Sequence, residues 1–86
     1  MKKAFYIDSH YIYKNGHAYY TPVPQNAKWF YNLWTKHSLE CVGMKQWSEK
    51  QWEVKLKGKK KDIQQFVFEF TIEAAEQYSI RETVWL

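Results

Sequence analysis

The chain has 86 residues, a formal net charge of +4 and a high aromatic content of five Trp, seven Tyr and five Phe. This length suits one domain with one core, and the aromatic content excludes a compositionally disordered chain. A lone cysteine excludes an internal disulfide framework, and no apolar run is long enough to span a bilayer. We therefore expect a single compact domain over residues 1–86, located in the reducing cytoplasm and without a membrane partner.

Charge is unevenly divided along the chain. Residues 1–61 carry twelve lysines against four acidic residues, a net charge of +8, whereas residues 62–86 carry one arginine against five acidic residues, a net charge of −4. This asymmetry predicts one basic and one acidic face. A basic face suits nucleic acid or another polyanion, and it equally suits an acidic protein surface or head-to-tail association into a homodimer.

The first predicted elements are strands. Asn15-Gly16 readily adopts the positive φ angles of a type I′ turn, and it separates two aromatic runs at residues 11–13 and 18–20. This pattern predicts a β-hairpin, and residues 5–7 either extend its first strand or form a separate one. Pro22 and Pro24 end the hairpin, since proline cannot donate to a strand ladder.

A first helix is predicted over residues 27–37. Phe30, Leu33, Trp34 and His37 recur at helical spacing, and Asn26 is suited to cap the N-terminus. Two strands then follow at about residues 39–47 and 51–57. The second alternates, with Trp52, Val54 and Leu56 on one face and Glu53, Lys55 and Lys57 on the other, which predicts one buried and one solvated face.

A second helix is predicted over residues 61–77 after a break at Gly58. Its expected buried stripe is Ile63, Phe66, Val67, Phe70, Ala74 and Tyr78, widened by Phe68, Ile72 and Ala75. Residues 79–86 alternate again and predict a final strand, with Ile80, Val84 and Leu86 on one face.

The element order predicts a small α+β fold. From the N-terminal strand onward it matches βαββαβ, the ferredoxin-like arrangement, with an additional hairpin strand before the first helix. We expect a two-layer sandwich in which both helices cover one face of an antiparallel sheet. The opposite face would then be open to a partner, because 86 residues leave no third layer.

The candidate site is a basic surface with exposed aromatic side chains. Its lysines are Lys45, Lys55, Lys57, Lys59, Lys60 and Lys61, which together could neutralise phosphates. Tyr11 and Tyr13 are assigned to base stacking, and Tyr19, Tyr20, Trp47 and Trp52 to contact with a partner. Stacking on an open sheet is typical of RNA-recognition folds, although their glycine-rich aromatic signature is absent. Lysine lacks the bidentate fork of arginine, so nucleic-acid binding of low sequence specificity is expected.

Two alternatives remain open at this point. The lysines are equally well explained as a solvated loop and a strand edge protected by charge. A second function is a small interaction or inhibitor protein, of the kind used by phages and mobile elements, that blocks or retargets a host enzyme through the aromatic hairpin and the open sheet face.

Catalytic and metal-binding patterns are weak. Asp8-Ser9-His10 holds the residue types of a hydrolase triad, but neighbours on a strand point to opposite faces. His10, His17 and His37 lack metal-ligand spacing, and Cys41 has no adjacent group to activate it. We therefore expect no enzyme activity, cofactor or metal. A pocket that joins His10 or His37 to a carboxylate would favour a small hydrolase instead.

Overall fold

The computed structural model describes residues 1–14, 17–20, 28–48, 50–75 and 77–86, with backbone only for residues 11–14, 17–20 and 29. These residues form β1 (Lys2–Ser9), β2 (Tyr11–Lys14), β3 (His17–Tyr20), α1 (Lys28–Lys36), β4 (Glu40–Gln46), β5 (Gln51–Lys57), α2 (Lys60–Glu73) and β6 (Tyr78–Trp85). The predicted Asn15-Gly16 turn and Asn26 cap lie outside the described residues.

The strands form a four-stranded sheet in the order β4-β5-β1-β6, in which every neighbouring pair is antiparallel. This confirms the expected small α+β fold with an antiparallel sheet and two helices. The prediction that the hairpin adds a strand to this sheet is wrong, because β2 and β3 pair only with each other in a separate two-stranded sheet. Since β5 and β6 occupy both edges of β1, the hairpin that follows β1 has no free edge of that strand to extend.

Both helices pack on one face of the four-stranded sheet. The T-shaped ring contacts Phe5–Phe66 and Phe30–Phe70, with centroids 5.6 and 5.3 Å apart, join β1 to α2 and α1 to α2. Such contacts stabilise a core beyond the area they bury. The large side chains that are fully buried in this core are Phe5, Ile7, Phe30, Trp52, Val54, Leu56, Ile63, Phe66, Phe70 and Tyr78.

The end of α1 places Leu39 in the core. Ser38 adopts a left-handed φ of 59°, the Leu39 N–H donates to the Trp34 carbonyl at 2.9 Å, and the Ser38 N–H donates to the Thr35 carbonyl at 3.0 Å. This is the bond pattern of a Schellman motif, which reverses the chain and turns the next apolar residue inward. The Leu39 side chain then packs against Gly58, where an added Cβ would overlap its Cδ2 atom.

Two face assignments made from the sequence are wrong. Phe68 and Ile72 are 68% and 62% exposed rather than part of the buried face, because Phe68 lies about 200° around the helix from the buried Phe66. In β6 the pairing with β1 shifts between Tyr6 and Ile7, which leaves Arg81 as an extra residue. This bulge moves Val84 to the face opposite Ile80.

Candidate functional site

The sheet face that points away from the helices, here called the outer face, is basic at one end. Lys2 of β1 lies directly opposite Lys57 of β5, so two like charges meet across the strands. The terminal amine of Met1 donates to the Gly58 carbonyl at 2.7 Å, and the Gly58 N–H donates back to the Met1 carbonyl at 2.9 Å. These reciprocal bonds hold the start of β1 beside Gly58, next to Lys57.

Three further lysines extend this group into the start of α2. Lys59 caps the helix in an extended conformation without a side-chain hydrogen bond, and Lys60 and Lys61 form its first turn, where Asp62 is the one acidic residue. All three lysines are exposed. A helix N-terminus disfavours cations, since its unpaired N–H groups carry partial positive charge. We call Lys2, Lys57, Lys59, Lys60 and Lys61 the basic end.

The charges of the basic end are not compensated within the described part of the chain. Among the described residues, no ion pair places a member of the basic end within 4.0 Å of a carboxylate. Glu40 lies opposite Lys57 in the strand register but forms no such pair. The basic end therefore has charge available for an anionic partner.

Lys45 and Lys55 form a different environment on the same face. Lys55 Nζ lies 3.6 Å from Glu53 Oε1, and Lys45 Nζ lies 3.9 Å from the centroid of the Trp47 ring. Glu53 is opposite Lys45 in the register. The six predicted lysines are thus divided between the basic end and a region where Glu53 pairs with Lys55 and lies opposite Lys45.

Glu53 is a nearly buried carboxylate at the centre of this region, 8% exposed. It accepts a hydrogen bond from Trp47 Nε1 at 3.0 Å, and Lys55 approaches its other oxygen. Burying a charge is costly unless it is paired and hydrogen-bonded, and both conditions are met here. A depression of 230 Å³ lies alongside, lined by Gly43, Met44, Lys45, Glu53 and Lys55.

The predicted aromatic residues have different outcomes. Trp47 is 54% exposed, as a contact residue should be. Trp52 is fully buried because it faces the helices from the start of β5, so its assignment to a partner surface is wrong. The side chains of Tyr11, Tyr13, Tyr19 and Tyr20 lie outside the described residues.

Sequence reasoning missed Lys2 and Tyr6. Tyr6 is partly exposed on the outer face, with the Arg81 guanidinium carbon 6.0 Å from its ring centroid. Both residues enter the site through the pairing of β1 with β5, which joins positions about fifty residues apart. The signal available in the sequence was the Lys2-Lys3 pair beside a predicted strand, but its neighbour depends on the strand order.

A second depression, of 560 Å³, lies between the helices and is lined by His37, Lys61, Gln64, Gln65, Phe68 and Glu69. His37 Nε2 and Lys36 Nζ each lie 3.2 Å from Glu69 Oε2. Hydrogen bonds from His37 and then Lys36 lower the pKa of the Glu69 carboxyl. The histidine and carboxylate that would favour a hydrolase are therefore together, but the lining residues include no Ser, Thr or Cys that could act as a nucleophile.

The side chains of Asp8, Ser9 and His10 do not converge in the structure. His10 Nε2 is 2.9 Å from Ser79 Oγ, while Ser9 is buried on the opposite face from Asp8. Burial raises the pKa of the Cys41 thiol, against a weaker opposing effect of its hydrogen bond to the Gly43 carbonyl. Among the described residues, no three His, Cys, Asp or Glu side chains are grouped to hold a metal ion.

Comparison of the chain with protein-family models, curated proteins and solved structures found no match. In the described part of the chain, neither helix has the length and apolar character needed to cross a membrane. The functional argument therefore depends on the outer face and its basic end.

Proposed function

We propose that this protein is a non-enzymatic binding module that engages nucleic acid through its basic end, with low sequence specificity. The observation that carries the proposal is the Lys2–Lys57 pair, which is placed opposite in register and has no carboxylate within ion-pair distance among the described residues. Like charges directly opposite each other destabilise a sheet. A polyanion that binds between them would remove this repulsion.

The chemistry of the basic end suits phosphates in particular. Each lysine that neutralises a phosphate releases condensed counterions, which favours binding at low salt. Lysine ammonium groups act as point charges and do not read base edges in the bidentate way that arginine does. Lys45 and Lys55 would extend the contact along the sheet, but Lys55 would contribute less because it is paired with Glu53.

The proposal is tested by binding of a fluorescent single-stranded decamer at several salt concentrations. Lys57→Ala removes one charge from the basic end, and the matched control Lys28→Ala removes one exposed charge from α1. The triple variant Lys2→Ala, Lys57→Ala, Lys59→Ala should lower the slope of log K against log salt by about 2, at about 0.7 per phosphate contact. Equal effects of Lys57→Ala and Lys28→Ala, or no binding at low salt, would refute it.

A protein partner is the second candidate function. It is favoured by the mixed charge of the outer face away from the basic end, where Asp8, Glu53 and Glu82 lie among Tyr6 and Arg81. Carboxylates repel phosphates, whereas mixed charge around aromatic and arginine side chains is typical of protein interfaces. If an acidic protein or a host enzyme binds to this face, Tyr6→Ala should weaken that binding and Lys57→Ala should not.

The fold and location are proposed at a finer level as follows. We infer that the four-stranded sheet and its two helices form a variant of the ferredoxin-like βαββαβ arrangement, with the β2–β3 hairpin inserted before α1. The lone free thiol of Cys41 suits the reducing cytoplasm.

A further inference from the structure

Trp47 is held in a fixed position while most of its surface stays exposed. Its indole N–H donates to Glu53 Oε2 at 3.0 Å, its backbone N–H donates to the Gln51 carbonyl at 2.9 Å, and Lys45 lies over its ring. Even so, 54% of the residue remains exposed to solvent. An aromatic ring that is already ordered loses little conformational entropy when a ligand stacks on it.

Because more than half of Trp47 is exposed, part of its ring surface remains for a partner. The Lys45 ammonium occupies a position above the indole at 3.9 Å, where it gains cation–π stabilisation. A planar group can stack against the ring surface that Lys45 leaves exposed, and the lysine charge then lies close to any phosphate attached to that group. Nucleobases have this combination of a flat π surface and an attached phosphate.

We propose that Trp47 is a stacking platform for one base of a single-stranded nucleic acid whose phosphates are held by the basic end. This inference rests on the proposed function and specifies its substrate class. A base in a duplex is already stacked on both sides, so the platform requires an unpaired base.

The spacing along β5 connects the two parts of this surface. Glu53, which holds the Trp47 indole, and Lys57 of the basic end are four residues apart on the same face, a distance of about 14 Å at about 3.4 Å per residue. Lys55 lies midway between them on that face. Even at the short spacing of about 3.4 Å between phosphates along one strand of a duplex, ten nucleotides extend well beyond this distance, so a single-stranded decamer can reach both ends.

The test compares a thymidine decamer with an abasic decamer of the same phosphate number, at low salt. Trp47→Ala removes the ring, and Trp47→Phe keeps an aromatic ring but removes the N–H that donates a hydrogen bond to Glu53. Trp85→Ala is the matched control, because Trp85 is also exposed, at 39%, and lies under Lys3 at 4.2 Å. Lys3 lies opposite both Trp85 and Leu56 in the register, and residues opposite each other share a face. Since Leu56 faces the helices, Trp85 lies on the side of the sheet away from Trp47.

Trp47→Ala is expected to weaken binding of the thymidine decamer about 5- to 140-fold, the range measured for loss of one stacked base. Trp47→Phe should retain most of the affinity for the thymidine decamer, and Trp85→Ala should leave it unchanged. None of the three substitutions should change the affinity for the abasic decamer. Equal losses for Trp47→Ala and Trp85→Ala, or an equal loss on the abasic decamer, would overturn the stacking role and leave phosphate binding intact. Absence of binding to either decamer by the unaltered protein would instead overturn the proposed function and this inference together.

Discussion

We predict that position 58 requires glycine because a larger side chain would collide with Leu39, and not because of its backbone conformation. Its φ lies outside the left-handed region that favours glycine, so alanine fits the backbone. The added Cβ, however, would lie closer than 3.0 Å to Leu39 Cδ2, whereas carbon atoms in contact prefer about 3.5–4.0 Å. Leu39 is 5% exposed and belongs to the core, so it cannot move without displacing neighbours.

The expected cost of Gly58→Ala is about 1–3 kcal/mol, the range for an extra methyl group in a packed core. This corresponds to a fall in Tm of about 4–24 °C, at about 4–8 °C per kcal/mol for a domain of this size. Without the overlap the same change should stabilise by about 0.4–1 kcal/mol, because alanine restricts the unfolded chain. The sign of the effect therefore depends on the Leu39 side chain.

A double-mutant cycle measured by urea unfolding separates the two contributions. Leu39→Val shortens the side chain that meets the new Cβ, and Leu39→Ala removes it more completely at a cost of about 2–5 kcal/mol. Gly58→Ala should become neutral or stabilising in either background. If it destabilises equally with and without the Leu39 change, the cause is in the backbone and the steric argument is wrong.

Two further predictions concern the helices. Glu69→Gln should lower the free energy of unfolding at pH 7, since His37 and Lys36 lower the pKa of the Glu69 carboxyl. This contribution to stability exists above the unfolded pKa of about 4.3 and disappears as the pH falls through the folded pKa. An equal difference in unfolding free energy between variant and unaltered protein at pH 7 and pH 3, measured by urea unfolding, would contradict the prediction. Phe66→Ala should cost about 3–5 kcal/mol by thermal unfolding and Phe68→Ala less than about 0.5 kcal/mol, because their exposures are 1% and 68%; similar losses would mean that Phe68 is covered by another surface.

The sequence predicted the secondary structure well because local periodicity was strong. The second helix was predicted from residue 61 and begins at Lys60, and the strand predicted over residues 51–57 is β5 without change. Its predicted buried residues are buried as well. These features depend on neighbours within one element, which is the information that spacing contains.

Features that depend on pairing between elements could not be predicted in this way. Lys2 lies opposite Lys57 because β1 pairs with β5, and no local sequence pattern specifies that strand order. The position of Val84 depends on the bulge at Arg81, which inserts one residue and reverses the alternation beyond it. The Trp47–Glu53 hydrogen bond likewise depends on the register of β4 against β5, in which Lys45 lies opposite Glu53.

The basic end departs from two stability rules at once. Opposed lysines on β1 and β5 are unfavourable on the scale of the cross-strand pair effect, about 0.2–1 kcal/mol, and lysines at the start of α2 oppose the helix dipole by about 0.3–1 kcal/mol. Elsewhere on the outer face Glu53 is satisfied, since it accepts a hydrogen bond from the Trp47 indole and pairs with Lys55. Natural sequences break local rules mainly at functional sites. An anionic strand bound to the basic end would relieve both unfavourable arrangements, which is why we propose that this end recognises the polyanion and that Trp47 orients its bases.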